Sequence, residues 1–231
     1  YVAGFPCQPF SVAGKQQGFD DEFGRGTIFF KVFEYIRVHK PKVFILENVK
    51  GIKTLHQGKY VRTIIKMLKS VTDADGKPLY QLNQSVLNTR EHGIPQNRPR
   101  WYCVGVRRDT MHETRRFQFP NAIPCPHIDE FLDGVGQSRD SDPTLLSSLP
   151  QNVRDNILKA YSKMSAEEKL LGRSRSIKLA TRGASTKDPV LAEQTCIVDC
   201  DASASRTGYM RMVSPCITRS RYKGHWISSR N

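Results

Sequence analysis

Residues 43–49 read Val-Phe-Ile-Leu-Glu-Asn-Val, and the prediction of the fold starts from them. The four consecutive apolar residues of Val43–Leu46 are typical of a central parallel strand that is buried on both faces. Pro41 stands just before the run and blocks the continuation of any helix that precedes it. The polar pair Glu47-Asn48 follows the run directly. The stretch therefore predicts a buried strand that presents a carboxylate directly after its carboxyl end.

The elements on either side of this strand alternate between strands and helices. Apolar side chains recur at helical spacing over Thr27–Val38 and again over Lys59–Ser70, so both segments are predicted to be amphipathic helices. Strands are predicted at Tyr1–Phe5, through Tyr80, Leu82 and Val86, and at Trp101–Val106. Such alternation is the pattern of a doubly wound α/β sheet with right-handed crossovers. The last two strands lie close in sequence, which favours an antiparallel pair at one edge.

The character of the chain changes after about residue 107. Residues 107–150 are rich in Pro, Ser and Asp and have little periodicity. One amphipathic helix is predicted within Gln151–Leu171, from Val153, Ile157, Leu158 and Tyr161, and a short strand at Thr195–Val198. The remainder predicts an irregular region, joined to the α/β part as a second domain or a large insertion.

The charge of the chain points to a polyanionic partner. The net charge of +14 is divided between residues 1–105, with +8, and residues 206–231, with +6, while the residues between them are neutral. Two basic segments favour a surface that meets nucleic acid at two places. No run approaches the 18 or so apolar residues of a membrane span. Six Cys are too few for a disulfide scaffold, so reduced thiols and an intracellular location are expected.

Three short motifs fall at loops of the predicted α/β part. Pro6-Cys7-Gln8 follows the first strand, Glu47-Asn48-Val49 follows the second, and Gln96-Asn97-Arg98-Pro99-Arg100 precedes the last. Ligands of open α/β sheets bind outside the carboxyl ends of the strands. Each motif alone is commonplace, since a single Cys is usually buried and a single Glu or Arg is usually solvated. Their combination predicts a site that holds a thiol, a carboxyl group and two guanidinium groups.

In this order and spacing, the three motifs resemble those of the cytosine-C5 DNA methyltransferases. The segments Arg25–Phe30 and Ser214–Thr218 are similar to two further segments of that family. The resemblance implies a partial, Rossmann-like methyltransferase sheet over residues 1–106. It also implies that residues 107–231 contain the target-recognition region and the start of the return to the catalytic domain.

The resemblance implies a chemistry that explains these residue types. Cytosine C5 is a poor nucleophile until a thiolate adds to C6, and Cys7 is expected to be that nucleophile. Glu47 is expected to share a proton with N3, and Arg100 to donate to O2, with Arg98 supporting them. The target base must leave the duplex to meet Cys7, so base flipping is expected.

The resemblance also implies partners for other residues. Pro6 and Ile28 are expected to lie against the methyl donor, S-adenosylmethionine. Contacts to double-stranded DNA are expected from Gln8, Ser11, Lys15 and Arg25. The segment Ser11–Gly24 is longer than an ordinary βα loop, which favours a mobile functional loop.

Other expectations concern what the sequence lacks. The family's Gly-rich donor-binding loop and its final motifs do not occur in these 231 residues, so the isolated chain is expected to be inactive. Two alternatives stay open: a tRNA-directed enzyme of similar fold and a non-catalytic DNA-binding paralogue. The biological role also stays open between restriction-modification and epigenetic marking. No metal is expected, because the spacing of Cys196, Cys200, Cys216 and His225 is loose for a zinc site.

Overall fold

The computed structural model describes residues 1–11, 16–112, 114, 116–126, 128, 147, 149–163, 196–199, 208–211, 214 and 225–228. The chain forms two compact units. The first comprises Tyr1–Asn88 and Pro99–Asn121, and the second comprises Thr89–Arg98 and Ala122–Asn231. A domain boundary at residue 106 stays a prediction.

The first unit is built on a four-stranded mixed sheet with the order β1-β2-β4-β3. Strand β1 (Val2–Gly4) pairs in parallel with β2 (Val43–Val49). Strand β4 (Pro99–Arg107) lies antiparallel to both β2 and β3 (Tyr80–Asn88), so β2 and β3 run in the same direction. The predicted α/β class is confirmed, as is the antiparallel pair formed by the last two strands of this part.

Two helices supply the core that covers one face of the sheet. Helix α1 (Ile28–His39) buries Phe29, Val32 and Ile36, and helix α2 (Lys59–Lys69) buries Tyr60, Ile64 and Leu68. Both helices agree with the predicted segments to within one residue at each end. Helix α1 ends where Lys40 adopts a left-handed conformation, directly before Pro41. The buried side chains of both helices join one cluster with Phe44 and Leu46 of β2.

Strand β2 differs from its prediction in two respects. It continues through Val49, because Glu47, Asn48 and Val49 pair with Tyr102, Trp101 and Arg100 of β4. Glu47 therefore lies within the strand and not after it. The prediction of burial on both faces is also wrong for the described residues: Phe44, Leu46 and Asn48 are buried, whereas the residues between them are half-buried. The two helices cover only the face with Phe44 and Leu46, and this accounts for the alternation.

The second unit contains one helix and a small sheet. Helix α3 (Gln151–Ser162) confirms the predicted helix as far as Ser162; the rest of the predicted segment lies outside the described residues apart from Lys163. Val153 and Ile157 are buried as predicted, but Leu158 is 52% exposed. Strand β5 (Cys196–Asp199), close to the predicted Thr195–Val198, pairs antiparallel with both β6 (Tyr209–Arg211) and β7 (His225–Ser228).

The described residues contain neither a helix that could span a membrane nor a cluster of metal-binding side chains. No helix in the described part of the chain has the length and hydropathy needed to cross a bilayer. The same residues contain no group of three or more His, Cys, Asp or Glu side chains placed to hold a metal ion. Cys200 and Cys216, two members of the candidate zinc set, lie outside the described residues.

A close contact between strands leads to a prediction of stability. A Cβ atom on Gly105 of β4 would lie 2.1 Å from Cζ of Phe44, a ring with no exposed surface. Overpacking of this kind typically costs about 1–3 kcal/mol. We expect Gly105→Ala to lower the free energy of unfolding by that amount in urea titrations. Gly208→Ala is the control, because a Cβ atom there meets nothing within 4 Å. Equal stability of the two variants would contradict the assigned packing.

Candidate functional site

The site is organised by the parallel pairing of β1 with β2. In this register Gly4 stands opposite Glu47, at the carboxyl ends of both strands. Neighbouring strands are about 4.8 Å apart, and Cys7 follows Gly4 by three residues. The pairing therefore brings the predicted nucleophile and the predicted carboxyl group to the same edge of the sheet.

Asn48 fastens the start of the Cys7 turn to β2. Its side chain has no exposed surface, and its Nδ2 atom donates a hydrogen bond of 3.0 Å to the carbonyl oxygen of Phe5. Its Oδ1 atom accepts the backbone N–H of Val49 at 2.9 Å. Only Pro6 separates Phe5 from Cys7, which limits the distance between their Cα atoms to about 7 Å. Asn48, the residue after Glu47, thus ties the chain that leads to Cys7 to strand β2.

Glu47 and Arg100 form an ion pair across β2 and β4. The Nε atom of Arg100 lies 3.0 Å from Oε1 of Glu47, with side-chain exposures of 13% and 30% respectively. Arg100 also donates through Nη1 to the carbonyl oxygen of Pro99 at 2.9 Å. These contacts restrict the guanidinium group and orient the carboxyl group. The structure therefore joins two of the predicted site residues directly.

Cys7 occupies an ordered and accessible position. It immediately precedes a one-turn 3-10 helix (Gln8–Phe10), and its carbonyl oxygen accepts the N–H of Phe10 at 3.0 Å. Pro9 and Phe10 are buried and anchor the turn, whereas Cys7 itself is half-exposed. Cys103 of β4 provides the contrast, since burial raises the pKa of its thiol to about 12. Of these two thiols, only Cys7 has solvent access.

Tyr60 of α2 supports the segment that follows Cys7. Its ring packs edge-on against Phe10 and Phe19, with centroid distances of 5.4 and 4.9 Å. Its hydroxyl donates to the carbonyl oxygen of Gln17 at 3.3 Å, and burial raises the pKa of this hydroxyl. Gly18 is required beneath the ring, because a Cβ atom there would lie 1.9 Å from Cζ of Tyr60. Tyr60 therefore holds residues on both sides of the stretch 12–15.

The predicted phosphate contact from Arg25 has another partner in the structure. Its Nη2 and Nε atoms bind Oδ1 and Oδ2 of Asp21 at 2.7 and 3.0 Å. The Asp21 side chain is only 1% exposed, so it requires this compensation. The hydrogen bonds from Arg25 also hold the pKa of Asp21 below its ordinary value. Arg25 thus has a structural role here, and its contact to DNA stays a proposal.

The other predicted residues occupy several positions. Pro6 and Ser11 lie half-exposed, and Gln8 exposed, on the turn that carries Cys7. Ile28 is 42% exposed at the first residue of α1. Arg98 is half-buried and belongs to the second unit, whereas Cys7, Glu47 and Arg100 belong to the first. Lys15 lies outside the described residues.

Sequence reasoning missed the roles of Asn48, Tyr60 and Gly26. Gly26 lies so close to the Gly18 carbonyl that a Cβ atom would be 1.9 Å from its oxygen. A signal for Asn48 was available, because it belongs to the Glu47-Asn48-Val49 motif at the end of a strand predicted to be buried. A buried amide side chain there needs hydrogen-bond partners, and it finds them in the adjacent backbone. The role of Tyr60 could not be predicted, because it lies four residues before Ile64 and so reads as an ordinary core position of α2.

Comparison with known proteins gives a family match over most of the chain. The family model for C-5 cytosine-specific DNA methylases matches residues 1–213. The type II methyltransferase M.HpaII of Haemophilus parainfluenzae is 42% identical over 131 residues, which cover 57% of this chain and 34% of the relative. M.NlaX of Neisseria lactamica is 33% identical over 172 residues, with coverages of 74% and 47%. The chain spans 34%, 29% and 22% of the length of the first three curated relatives it matches.

Solved structures give weaker matches. The Entamoeba histolytica methyltransferase EhMeth has a TM-score of 0.43 and 20% identity, with 63% of this chain and 42% of that chain covered. A mutant DNMT2 of Spodoptera frugiperda has a TM-score of 0.44 and 20% identity, with 69% and 44% covered. Both TM-scores are below 0.5, so the family is assigned from the sequence match alone. By that match, the chain belongs to the C-5 cytosine-specific DNA methylase family.

Proposed function

We propose that this chain carries the reacting groups of a DNA (cytosine-5)-methyltransferase. The single observation that supports this most directly is the Glu47–Arg100 ion pair at the edge where β1 leads to Cys7. Membership of the methylase family supplies the reaction class. The substrate in this proposal is a cytosine that has left the stack of double-stranded DNA.

The first proposed step is addition of the Cys7 thiolate to C6 of the cytosine. A new Sγ–C6 bond forms, and the electron pair of the C5=C6 bond becomes available at C5. The ordered turn at Gln8–Phe10 fixes the direction of Cys7, and the half-exposed position leaves its sulfur accessible. Positioning of this kind supplies a large share of the rate in covalent catalysis.

Glu47 and Arg100 act on the charge that this addition creates in the ring. Glu47 shares a proton with N3, which absorbs the electron density that would otherwise build up there. Arg100 donates to O2, which gains charge in the addition; a guanidinium group has five N–H donors and no acceptor, so it suits this task. Arg98 supports this pair in the proposal. C5 then bonds to the methyl carbon as the bond from that carbon to the sulfonium breaks, and the donor would leave as a thioether. Loss of the C5 proton to a base then breaks the Sγ–C6 bond, releases Cys7 and restores the aromatic ring.

S-adenosylmethionine fits the apolar residues at this edge as the methyl donor. Pro6 is half-exposed and Ile28 is 42% exposed, so both offer nonpolar surface to a ligand. When bound, the donor supplies an electrophilic methyl group on a sulfonium. Pro6 and Ile28 would bind and orient its apolar part. The turn from Pro6 to Cys7 would then hold the donor and the nucleophile on one short segment.

We expect trapping by 5-fluorocytosine to identify the nucleophile and the substrate together. Fluorine at C5 cannot leave as a proton does, so the Cys7 adduct persists. With the donor present, the full-length protein should form a denaturant-resistant complex with duplex DNA that contains 5-fluorocytosine, and Cys7→Ser should form none. Cys125→Ser is the control, since that thiol is also half-exposed. A complex retained by Cys7→Ser contradicts the mechanism, and trapping of substituted tRNA alone contradicts DNA as substrate.

Glu47→Gln tests the proton on N3. Glutamine keeps the shape of the side chain but cannot act as a general acid. The rate of adduct formation should fall by about 10²–10⁴-fold, while DNA affinity changes little. Glu34→Gln is the matched control, because Glu34 is also paired with an arginine, Arg37, at 2.7 Å, but lies on the surface of α1. Equal rates for the two variants, measured by rapid-quench trapping, would remove Glu47 from the mechanism.

Tyr60→Phe tests the support of the Cys7 segment. The variant keeps the ring but loses the hydrogen bond to Gln17, which is worth about 1 kcal/mol. If that energy is expressed in the transition state, the rate of adduct formation falls about fivefold. Tyr80→Phe is the control, since its hydroxyl donates to the carbonyl oxygen of Pro41 at 2.9 Å. Both variants should lose similar stability in urea, but only Tyr60→Phe should slow trapping.

A further inference from the structure

Helix α2 carries a row of cations that the proposed reaction does not use. Lys59, Arg62, Lys66 and Lys69 follow one another at spacings of three, four and three residues, so they lie on one face of the helix. All four are exposed. We call these four residues the α2 stripe. At a rise of 1.5 Å per residue, the stripe extends for about 15 Å along the helix axis.

Among the described residues, no carboxylate pairs with these four cations. The sequence from Lys50 to Thr72 contains six Lys or Arg and no Asp or Glu. Within the described part of the chain, none of the four side chains forms a salt bridge. Arg62 donates through Nη1 to the carbonyl oxygen of Gln57. This acceptor is neutral, so the contact does not neutralise the positive charge of Arg62. Like charges at these spacings destabilise an isolated helix, so an anionic ligand would relieve a repulsion that is already present.

The stripe also borders a shallow groove. The groove has a volume of about 390 Å³, and its lining includes Val61 and Ile65 of α2 and Gln84 of β3. Arg62, Lys66 and Lys69 complete the lining. Cationic side chains with long aliphatic stems on one side of a groove can reach a backbone of phosphates without selecting a sequence.

The position of the stripe separates it from the reacting groups. Helix α2 follows the carboxyl end of β2, where Glu47 lies, and precedes β3, which runs in the same direction as β2. The helix therefore runs back along the sheet, with Lys59 near the edge that holds Glu47 and Lys69 about 15 Å farther along. The far end of the stripe therefore lies too far from that edge to contact the phosphates beside the target base.

We infer that the α2 stripe is a second DNA-binding surface, which holds phosphates of the duplex other than those next to the target base. The inference rests on the DNA substrate of the proposed function, but not on the roles of Cys7 or Glu47. Binding there is electrostatic and independent of sequence. It would keep the protein on DNA between target sites and raise the local concentration of duplex near the reacting edge.

The test is the salt dependence of DNA affinity in the full-length protein. Fluorescence anisotropy of a labelled duplex without the target sequence would be measured between about 50 and 200 mM salt. The triple variant Arg62→Gln, Lys66→Gln and Lys69→Gln removes three phosphate contacts, so the slope of log K against log[salt] should become less steep by about 2.7. The fourfold increase in salt should then cost the variant roughly 40-fold less affinity than the wild type.

A matched control removes the same charge elsewhere. Lys31, Lys40 and Lys42 are exposed cations on and after α1, and their triple change to Gln should leave the slope as in the wild type. Lys66→Arg with Lys69→Arg keeps the charge of the stripe and should also bind as the wild type does. Circular dichroism of all variants verifies that α2 is retained.

Three results would overturn the inference. The first is an unchanged slope in the stripe variant, and the second is an equal change in both triple variants, which would indicate a response to net charge alone. The third concerns competition. In it, poly-glutamate displaces labelled DNA from the wild type at a lower charge concentration than competitor duplex does, and this preference is absent in the stripe variant. That result would assign the stripe to an acidic protein. None of these results depends on methyl transfer, so failure here and failure of the proposed reaction are distinguishable.

Discussion

The parallel register of β1 against β2 is the constraint on which the site depends. It places Gly4 beside Glu47, and the buried hydrogen bond from Asn48 to the Phe5 carbonyl fastens the chain just before Cys7. Loss of this hydrogen bond would be costly, because it would leave a buried amide or carbonyl group without a partner and with the full penalty of desolvation. Strand pairing therefore sets the edge, and a single amide fixes where the turn to Cys7 begins.

Packing in the first unit extends this constraint from the backbone to the reacting side chains. Arg100 reaches Glu47 because β4 inserts between β2 and β3 and brings its own first residues to the carboxyl edge of β2. Tyr60 joins the same arrangement from α2, through aromatic contacts to Phe10 and Phe19. One face of α2 thus supports the segment after Cys7, while its opposite face carries exposed cations. The support of the Cys7 segment and the proposed binding of DNA phosphates therefore use different faces of one helix.

Much of the first unit could be predicted from its sequence, because its signals are local. The periodicity of α1 and α2 reflects burial of one helical face, and both helices were found to within a residue at each end. The end of β2 could not be found in this way. Glu47 and Asn48 are poor strand formers, and pairing with Tyr102 and Trp101 of β4, and of Glu47 with Gly4 of β1, keeps them in the strand. The partner of Arg25 could not be predicted either, because the sequence of a loop does not show that a nearby carboxylate, here Asp21, is buried.

The α/β class and the family could be predicted from the sequence alone, as could a candidate thiol, carboxyl group and guanidinium pair. Those predictions depend on residue types at short spacings along the chain. Which groups meet is visible only in the folded structure: Glu47 with Arg100, Asn48 with Phe5, Arg25 with Asp21, and Tyr60 with Gln17. Except for Arg25 with Asp21, these partners are separated by more than 40 residues in the chain. Contacts at such separation are set by strand register and helix packing, for which no local pattern of residues is sufficient.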